Sequence, residues 1–554
     1  MTRTSERKVK VTIVRSWFIV PLLLIVCVAN GLGAFAEEPF RPICWGVDDA
    51  GSTQPLSRHP KAKALLDEFD FNFLVSHVYP HRSLEVNGRS IRIVDEFCRK
   101  MDIDWVANLE SPNFLKEHVD EKGRDWYNRS DGRHFFLVPD EILEDYAACE
   151  KLWGFMYDEA AHMQNCRNRI AGLDQPWVFD PEGHELESAA DGFVRAVGEL
   201  ERLHARYGIR LSSEHVFPVL FHTFARARWT AATKVLKENW SPAYVACALG
   251  AALQYDTELW ITPDLWYGGR YPGHSPEEYA SALLLAYHMG ADCIYTENLA
   301  FNHKNDPRGG LVQMTSDDYE LTPWGEVARW FAKQYMPANP RRYTFRDIKP
   351  RVAIVRRPDA CWGQSESWLP NTLFGHKQWP SNEKTEAWLA VWHLLSRGVI
   401  PSDALSWHNT NLRKSRPYQV FCPLDGVVVF DDRVGSAHLA GVEVIFLTGL
   451  GVTEPTLAAI ERCVTEGATC VSLPHLLPDR VLDATGDVGE LKDGDGLWLA
   501  TTDFLAPSVK KRVAHVIPQE DLIRYRFGDQ MTTFHPIDGD MNRLDADVRP
   551  YRPL

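Results

Sequence analysis

The segment Leu152-Trp-Gly-Phe-Met-Tyr-Asp-Glu159 runs through apolar and aromatic residues and stops on two adjacent carboxylates. Gly290-Ala-Asp-Cys-Ile-Tyr-Thr-Glu297 repeats that design further along the chain. An acid at the end of a buried strand costs desolvation and adds nothing to packing. In a parallel barrel, the C-terminal ends of the strands are where chemistry is kept. Asp158, Glu159 and Glu297 are therefore the candidate catalytic residues. Two carboxyl groups facing each other, one protonated and one ionised, are the equipment for cleaving a glycosidic bond. Crowding acids in an apolar rim raises the pKa of one and leaves another ionised. Their separation sets the stereochemical course: about 5–5.5 Å implies retention and about 6.5–9.5 Å inversion. That distance is a matter of tertiary structure.

Further acids share the phase. Asp48 and Asp49 follow the first strand-like segment and Glu110 the third. Glu214 follows the fifth in Ser212-Ser-Glu-His215, and Asp264 the sixth in Thr262-Pro-Asp-Leu-Trp-Tyr267. With Asp48, Glu110, Glu214 and Asp264, the residues His77, Tyr79, His215, Trp266, Tyr267 and Asn298 are candidate substrate contacts. Trp266 and Tyr267 precede Gly268-Gly269, which marks an exposed loop, and exposed rings suit stacking on a sugar face. His162, one helical turn beyond Asp158, is placed to orient a carboxylate. No Cys or His spacing resembles a zinc site, so no metal and no cofactor is expected. A metal-assisted hydrolase using the same acids stands as an alternative, as does a barrel that binds carbohydrate without cleaving it.

Positioning these acids requires strands that all open on one rim. Strand-like runs at 42–47, 71–78, 103–109, 152–157, 209–213, 259–262 and 292–296 alternate with amphipathic stretches such as 189–207 and 276–289. Each run is short and apolar, as a strand buried on both faces must be. Ser275-Pro276-Glu277-Glu278 is a helix start: a cap, Pro at the first position, then acids. This alternation predicts a (β/α)8 TIM barrel over residues 40–340, with its eighth strand near 310–314. A doubly wound open sheet is the structural alternative. After the Pro- and Arg-rich stretch from Met336 to Arg342, a new alternation begins at Lys349. It predicts a second, smaller doubly wound α/β domain over 348–500, with no Gly-rich phosphate fingerprint after its first strand. Residues 501–554 form a short C-terminal extension, read as an appended β-rich piece or a wrapping arm.

Composition bounds the rest. The 554 residues carry a formal net charge of −15, which argues against a nucleic-acid or anionic-membrane partner. The 19 Trp exceed ordinary packing needs and suit a sugar-binding cleft as well as a core. Arg3, Arg7, Lys8, Lys10 and Arg15 precede an apolar run and then Ala34-Phe35-Ala36, so residues 1–36 read as a signal peptide cleaved after Ala36. A secreted or periplasmic protein with no stable membrane span after cleavage is expected. An oxidising compartment permits disulfides, and Cys149–Cys166 and Cys463–Cys470 are candidate pairs.

Acids closing the fourth and seventh strand-like segments resemble the arrangement of the clan-A retaining glycoside hydrolases. The resemblance covers residues 40 to about 500 in layout. It implies a retaining glycosidase acting on an oligo- or polysaccharide, with Glu159 as acid/base and Glu297 as nucleophile. Those enzymes usually show Asn immediately before the acid/base Glu, and this chain has Asp158. An ionised Asp does not donate a hydrogen bond to a sugar hydroxyl as Asn does, so either Asp158 rather than Glu159 is the acid, or the family is a more distant one with a different mechanism. The second domain resembles the glutamine-amidotransferase-like trimerisation domain of certain β-galactosidases. This implies homo-oligomer contacts rather than catalysis, since neither Cys422 nor Cys463 sits in a Gly-x-Cys-x-Gly elbow.

Overall fold

Eight short segments pair edge to edge and close on themselves in the computed structural model. They are β1 (Cys44–Asp48), β2 (Phe73–His77), β3 (Asp104–Asn108), β4 (Leu152–Tyr157), β5 (Arg210–His215), β6 (Thr230–Leu236), β7 (Leu259–Asp264) and β8 (Cys293–Thr296). They form a closed barrel in chain order, every neighbour parallel, with β8 returning to β1. The structure describes residues 43–49, 55–77, 84–109, 138, 140–161, 164, 179, 183–236, 240–265, 273–300, 310–359, 372–376, 378–403 and 419–552. The expected signal peptide, Tyr79, Glu110, His162, Cys166, Trp266 and Tyr267 lie outside them. Among the described residues, no helix is long and apolar enough to cross a membrane.

The lumen is filled by side chains two residues apart on each strand, as the pleat requires. Phe73, Val75, Val106, Met156, Ala232, Trp260, Cys293 and Tyr295 make one buried cluster. Gly46 lets β1 approach β2, since a Cβ there would lie 2.2 Å from the Phe73 carbonyl oxygen. The helices wrapping the barrel include α1 (Ala62–Phe69), α2 (Leu84–Met101), α3 (Asp140–Ala147), α4 (Leu186–Ala205), α5 (Phe221–Arg226), α6 (Ser241–Tyr255) and α7 (Pro276–His288). α7 begins at the anticipated helix start, where a capping box forms, with Ser275 accepting from the Glu278 N–H and Glu278 accepting from the Ser275 N–H.

Two sequence expectations about the barrel are corrected. The 259–262 and 292–296 runs are the seventh and eighth strands, because Thr230–Leu236 is an additional sixth strand. Its sequence, Thr-Ala-Ala-Thr-Lys-Val-Leu, breaks the apolar run with Lys234, although all seven residues are buried. Segment 310–314 is not a barrel strand: β9 (Val312–Met314) pairs antiparallel with β10 (Tyr319–Leu321) in a separate hairpin.

The remaining strands are β11 (Val352–Arg356), β12 (Leu424–Asp425), β13 (Val427–Asp431), β14 (Val444–Thr448), β15 (Thr469–Ser472), β16 (Gly489–Asp493), β17 (Gly496–Ala500), β18 (Ile523–Phe527), β19 (Gln530–Ile537) and β20 (Asp540–Pro550). A six-stranded sheet runs β13-β11-β14-β15-β17-β16, parallel except for the antiparallel edge β16. A four-stranded sheet runs β12-β18-β19-β20. Residues Pro42–Leu554 form one compact unit. α6 is the wedge between barrel and six-stranded sheet. It is buried on every side over its first three turns, and its Gly250 brings the helix so near β13 that a Cβ would lie 1.5 Å from the Val429 oxygen. His222 Nε2 also lies 3.0 Å from that oxygen. The C-terminal sheet is tied to α7, where Ser281 Oγ donates to the Asn542 carbonyl and accepts from the Leu544 N–H.

The candidate disulfides are not formed. Cys149, Cys463 and Cys470 are free thiols. Cys463 lies on a helix and Cys470 inside β15, where its side chain packs in the sheet core.

Candidate active site

Alternation along each strand sends one final inward residue to the C-terminal rim of the lumen. The eight residues are Asp48, His77, Asn108, Asp158, Glu214, Lys234, Asp264 and Glu297, each two positions beyond a lumen-facing residue of its own strand. None is apolar. The register steps between strands bring those on β4 to β8 together around one ammonium group.

That group is Lys234 Nζ, whose side chain is 1% exposed. It lies 2.7 Å from Glu297 Oε2 and 2.9 Å from Glu214 Oε2. Asp264, Glu159 and Asp158 oxygens follow at 3.6, 3.7 and 3.8 Å. Burial works against the lysine's charge, but the surrounding carboxylates, Glu214 first and then Glu297, outweigh it and hold the pKa well above the ordinary value. The Glu214 carboxyl is itself pushed well up, by burial first and by the Asp158 charge, against the pull of Lys234. Tyr295, from β8, donates a hydrogen bond to Glu214 from below.

Depth divides the five acids. Glu214 and Asp264 are sealed, with side-chain exposures of 1% and 0%. Asp158, Glu159 and Glu297 reach the opening, at 10%, 17% and 13%. Regular alternation would send Glu159 away from the lumen after inward Asp158. Its backbone takes φ 49°, a left-handed conformation unusual for a non-glycine residue. Both carboxylates of the pair therefore meet the same lysine. The Glu159 and Glu297 oxygens contact one nitrogen, so they are no farther apart than those two contacts laid end to end.

Asp48 and His77 lie beside this cluster on β1 and β2. His77 Nε2 is 2.9 Å from the Asp48 carboxylate. Behind them Asp49 accepts from the Leu56 and His77 N–H groups, and burial, then the Asp48 charge, raises its pKa to about 6. Asn108 is 1% exposed and its Oδ1 has no hydrogen-bond partner. Asn298, after Glu297, is buried with φ 73° and leaves its Nδ2 without a partner.

His215 is not in the site. Glu214 takes the inward position, so the next side chain points outward. Its ring packs against Phe221 and Phe224 of α5, with centroids 4.4 and 5.0 Å away, and burial lowers its pKa to about 3. Sequence reasoning missed Lys234 altogether. The available signal was a lysine flanked by Thr and Val within a short β-prone run. Among the described residues, no group of three or more His, Cys, Asp or Glu side chains is arranged to hold a metal ion.

The strand count also alters the comparison drawn from sequence. Glu297 follows the eighth strand, bridged to Asp264, and Asp264 is the acid that ends the seventh. The nucleophile position of the clan-A arrangement therefore falls on Asp264, and the case for Glu297 rests on its exposure and contacts.

No family model matches the chain, and no curated protein matches it at a significant level. Among solved structures it is similar to the exo-β-1,4-mannosidase Op5Man5 from Opitutaceae bacterium strain TAV5, at 12% identity over 86% of this chain and 95% of that one, TM-score 0.47. It is also similar to GH5_18 from Streptomyces cattleya, solved in complex with GlcNAc, at 16% identity over 57% of this chain and 84% of that one, TM-score 0.39. A GH5 cellulase from an Icelandic hot spring isolate is similar at 12% identity over 52% of this chain and 87% of that one, TM-score 0.31. At these identities and scores no residue correspondence is carried across.

Proposed function

We propose that this protein is a glycoside hydrolase whose reacting pair is Glu159 and Glu297. The observation that carries the reading is their contact with one buried lysine, at 3.7 and 2.7 Å, on the exposed side of an acid cluster at the barrel mouth. Laid end to end, those contacts fall just short of the ~6.5 Å at which inverting pairs begin. This favours retention, with one of the two as nucleophile and the other as acid/base. Glu297 makes the shorter contact with Lys234, 2.7 Å, and a neighbouring ammonium favours the carboxylate form, which suits Glu297 to the nucleophile's part. Glu159, farther from the ammonium and nearer the opening, is suited to hold and return a proton. Asp158 orients the substrate between them. An amine nucleophile at Lys234 is the rival reading, and the carboxylates that hold its proton oppose it, since an attacking amine must be neutral.

The wider reading is an exported enzyme, with residues 1–36 removed as a signal. The six-stranded sheet serves as a non-catalytic, amidotransferase-like scaffold for contacts between copies. Glu159→Gln and Glu297→Gln are expected to lower turnover of aryl glycosides by about 10²–10⁴-fold while leaving the circular-dichroism spectrum unchanged. Azide added to Glu297→Ala, where truncation leaves room for it to attack the anomeric carbon as the aryl alcohol departs, is expected to yield a glycosyl azide. Full activity in both variants would refute the assignment. Affinity for a glycan with no release of reducing ends from the wild type would leave a binding barrel instead.

A further inference from the structure

The floor of the barrel lies at the opposite end from the acids, and the connections entering β2 to β8 there are all within the described residues. Cys44 opens β1 and Cys293 opens β8. These strands meet where the barrel closes, and the two cysteines are direct partners in the parallel register. Residues paired in this way leave the sheet on the same face. Here that face is the lumen: Cys293 belongs to the buried lumen cluster and Cys44 packs against it. Adjacent strands run about 4.8 Å apart, inside the roughly 4.4–6.8 Å between Cα atoms that a disulfide spans. Both are free thiols in this structure.

The two thiols touch but differ in access. Cys293 is 1% exposed, whereas Cys44 is partly open to solvent. Burial first, and then a hydrogen bond with Cys44, push the Cys293 thiol's pKa well up. A reagent arriving from solvent therefore meets Cys44 first, and Cys293 waits beneath it as a protonated thiol.

The geometry points to a disulfide that forms between Cys44 and Cys293 on oxidation, a covalent seam joining the first and last strands of the barrel. It goes beyond the hydrolase reading, and the export proposed there supplies the oxidising compartment. In the first step the Cys44 thiolate attacks a small-molecule or protein disulfide, giving a mixed disulfide. One thiolate leaves and takes up the proton that Cys44 lost. In the second step Cys293 gives up its proton and its sulfur attacks the Cys44 sulfur. The Cys44–Cys293 bond forms and the second thiolate leaves, again to be protonated. Two protein thiols lose two electrons, and one disulfide is reduced to two thiols. The bond closes a loop that contains every other barrel strand, so it restricts the unfolded chain more than a short-range bond would. In the folded protein it ties the strands whose far ends lead to Asp48 and Glu297.

The test uses the full-length protein, purified in reductant and then incubated, still folded, with glutathione disulfide. The product is denatured, its remaining thiols are alkylated, and its digest is mapped by mass spectrometry. A peptide pair joined through Cys44 and Cys293 is expected, and it should be absent from Cys44→Ser and Cys293→Ser. The oxidised form is expected to unfold at a urea midpoint about 0.5 M above that of the reduced form, with no such difference in Cys44→Ser. Should a serine variant fail to fold, the wild-type map and the wild-type midpoints decide alone. Both cysteines alkylated after oxidation would overturn the inference. So would Cys44 held as a glutathione adduct with Cys293 free. A mapped bond with an unshifted midpoint would overturn its part as a stabilising seam.

Discussion

Lys234 is the residue on which the site turns. A lone buried lysine is costly, and so is a group of buried acids, and each makes the other tolerable. Removing the cation takes away its 2.7 and 2.9 Å contacts with Glu297 and Glu214, so Lys234→Met is expected to lose about 3–5 kcal/mol of stability, read by chemical denaturation. In that variant the acids' folded pKa values rise above their unfolded ones. The native state then binds more protons than the unfolded state, and stability falls as pH rises. The deficit against wild type should therefore be larger at pH 8 than at pH 5, and a pH-independent deficit would contradict this account. Asp49 follows the same sign. Its folded pKa of about 6 lies above the ordinary 3.8, so its burial costs stability progressively between those values, by about 3 kcal/mol at the top. Asp49→Asn is expected to gain in melting temperature relative to wild type as pH rises across that window and to level off above it.

Among the elements, β6 and α6 decide the architecture around the site. β6 delivers the lysine, and α6, the helix that follows it, carries the barrel onto the six-stranded sheet. Helix and sheet meet without side chains between them at Gly250, where a Cβ would lie 1.5 Å from a β13 carbonyl oxygen. Backbone cannot step aside as a side-chain tip can, so Gly250→Ala is expected to cost about 3 kcal/mol, the upper end of typical overpacking penalties. Hydrogen exchange should localise the damage to β13 and the middle of α6. Unchanged protection there would show that helix and sheet separate freely. The left-handed φ of Glu159 is the other device at this scale, because a one-residue turn of the backbone places two consecutive acids at one mouth.

At the scale of the whole molecule, barrel, six-stranded sheet and C-terminal sheet belong to one compact unit. α6 is buried between the first two, and β20 is stitched to α7 through Ser281. Neither sheet can leave without exposing apolar surface of the barrel's helices. A single cooperative calorimetric transition is therefore expected for the intact protein. Two resolved transitions would mean that the interface at α6 is weak.

Much of this was legible in the residues. Short apolar runs alternating with amphipathic stretches can bury both faces of each strand only in a parallel sheet covered by helices, so the barrel and the second α/β sheet were readable. Acids closing such runs marked the rim, because nothing in core packing asks for them. Tertiary structure alone decided three things. β6 counts as a strand although Lys234 interrupts its pattern, since the lysine's burial is tolerated only by acids on four other segments. That extra strand moved Glu297 from the seventh position to a place after the eighth. Depth then separated Glu159 and Glu297, which reach the opening, from Glu214 and Asp264 beneath them, and alternation turned His215 out toward α5. Each of these depends on which side chains from distant segments share one buried charge, and local sequence carries no record of that.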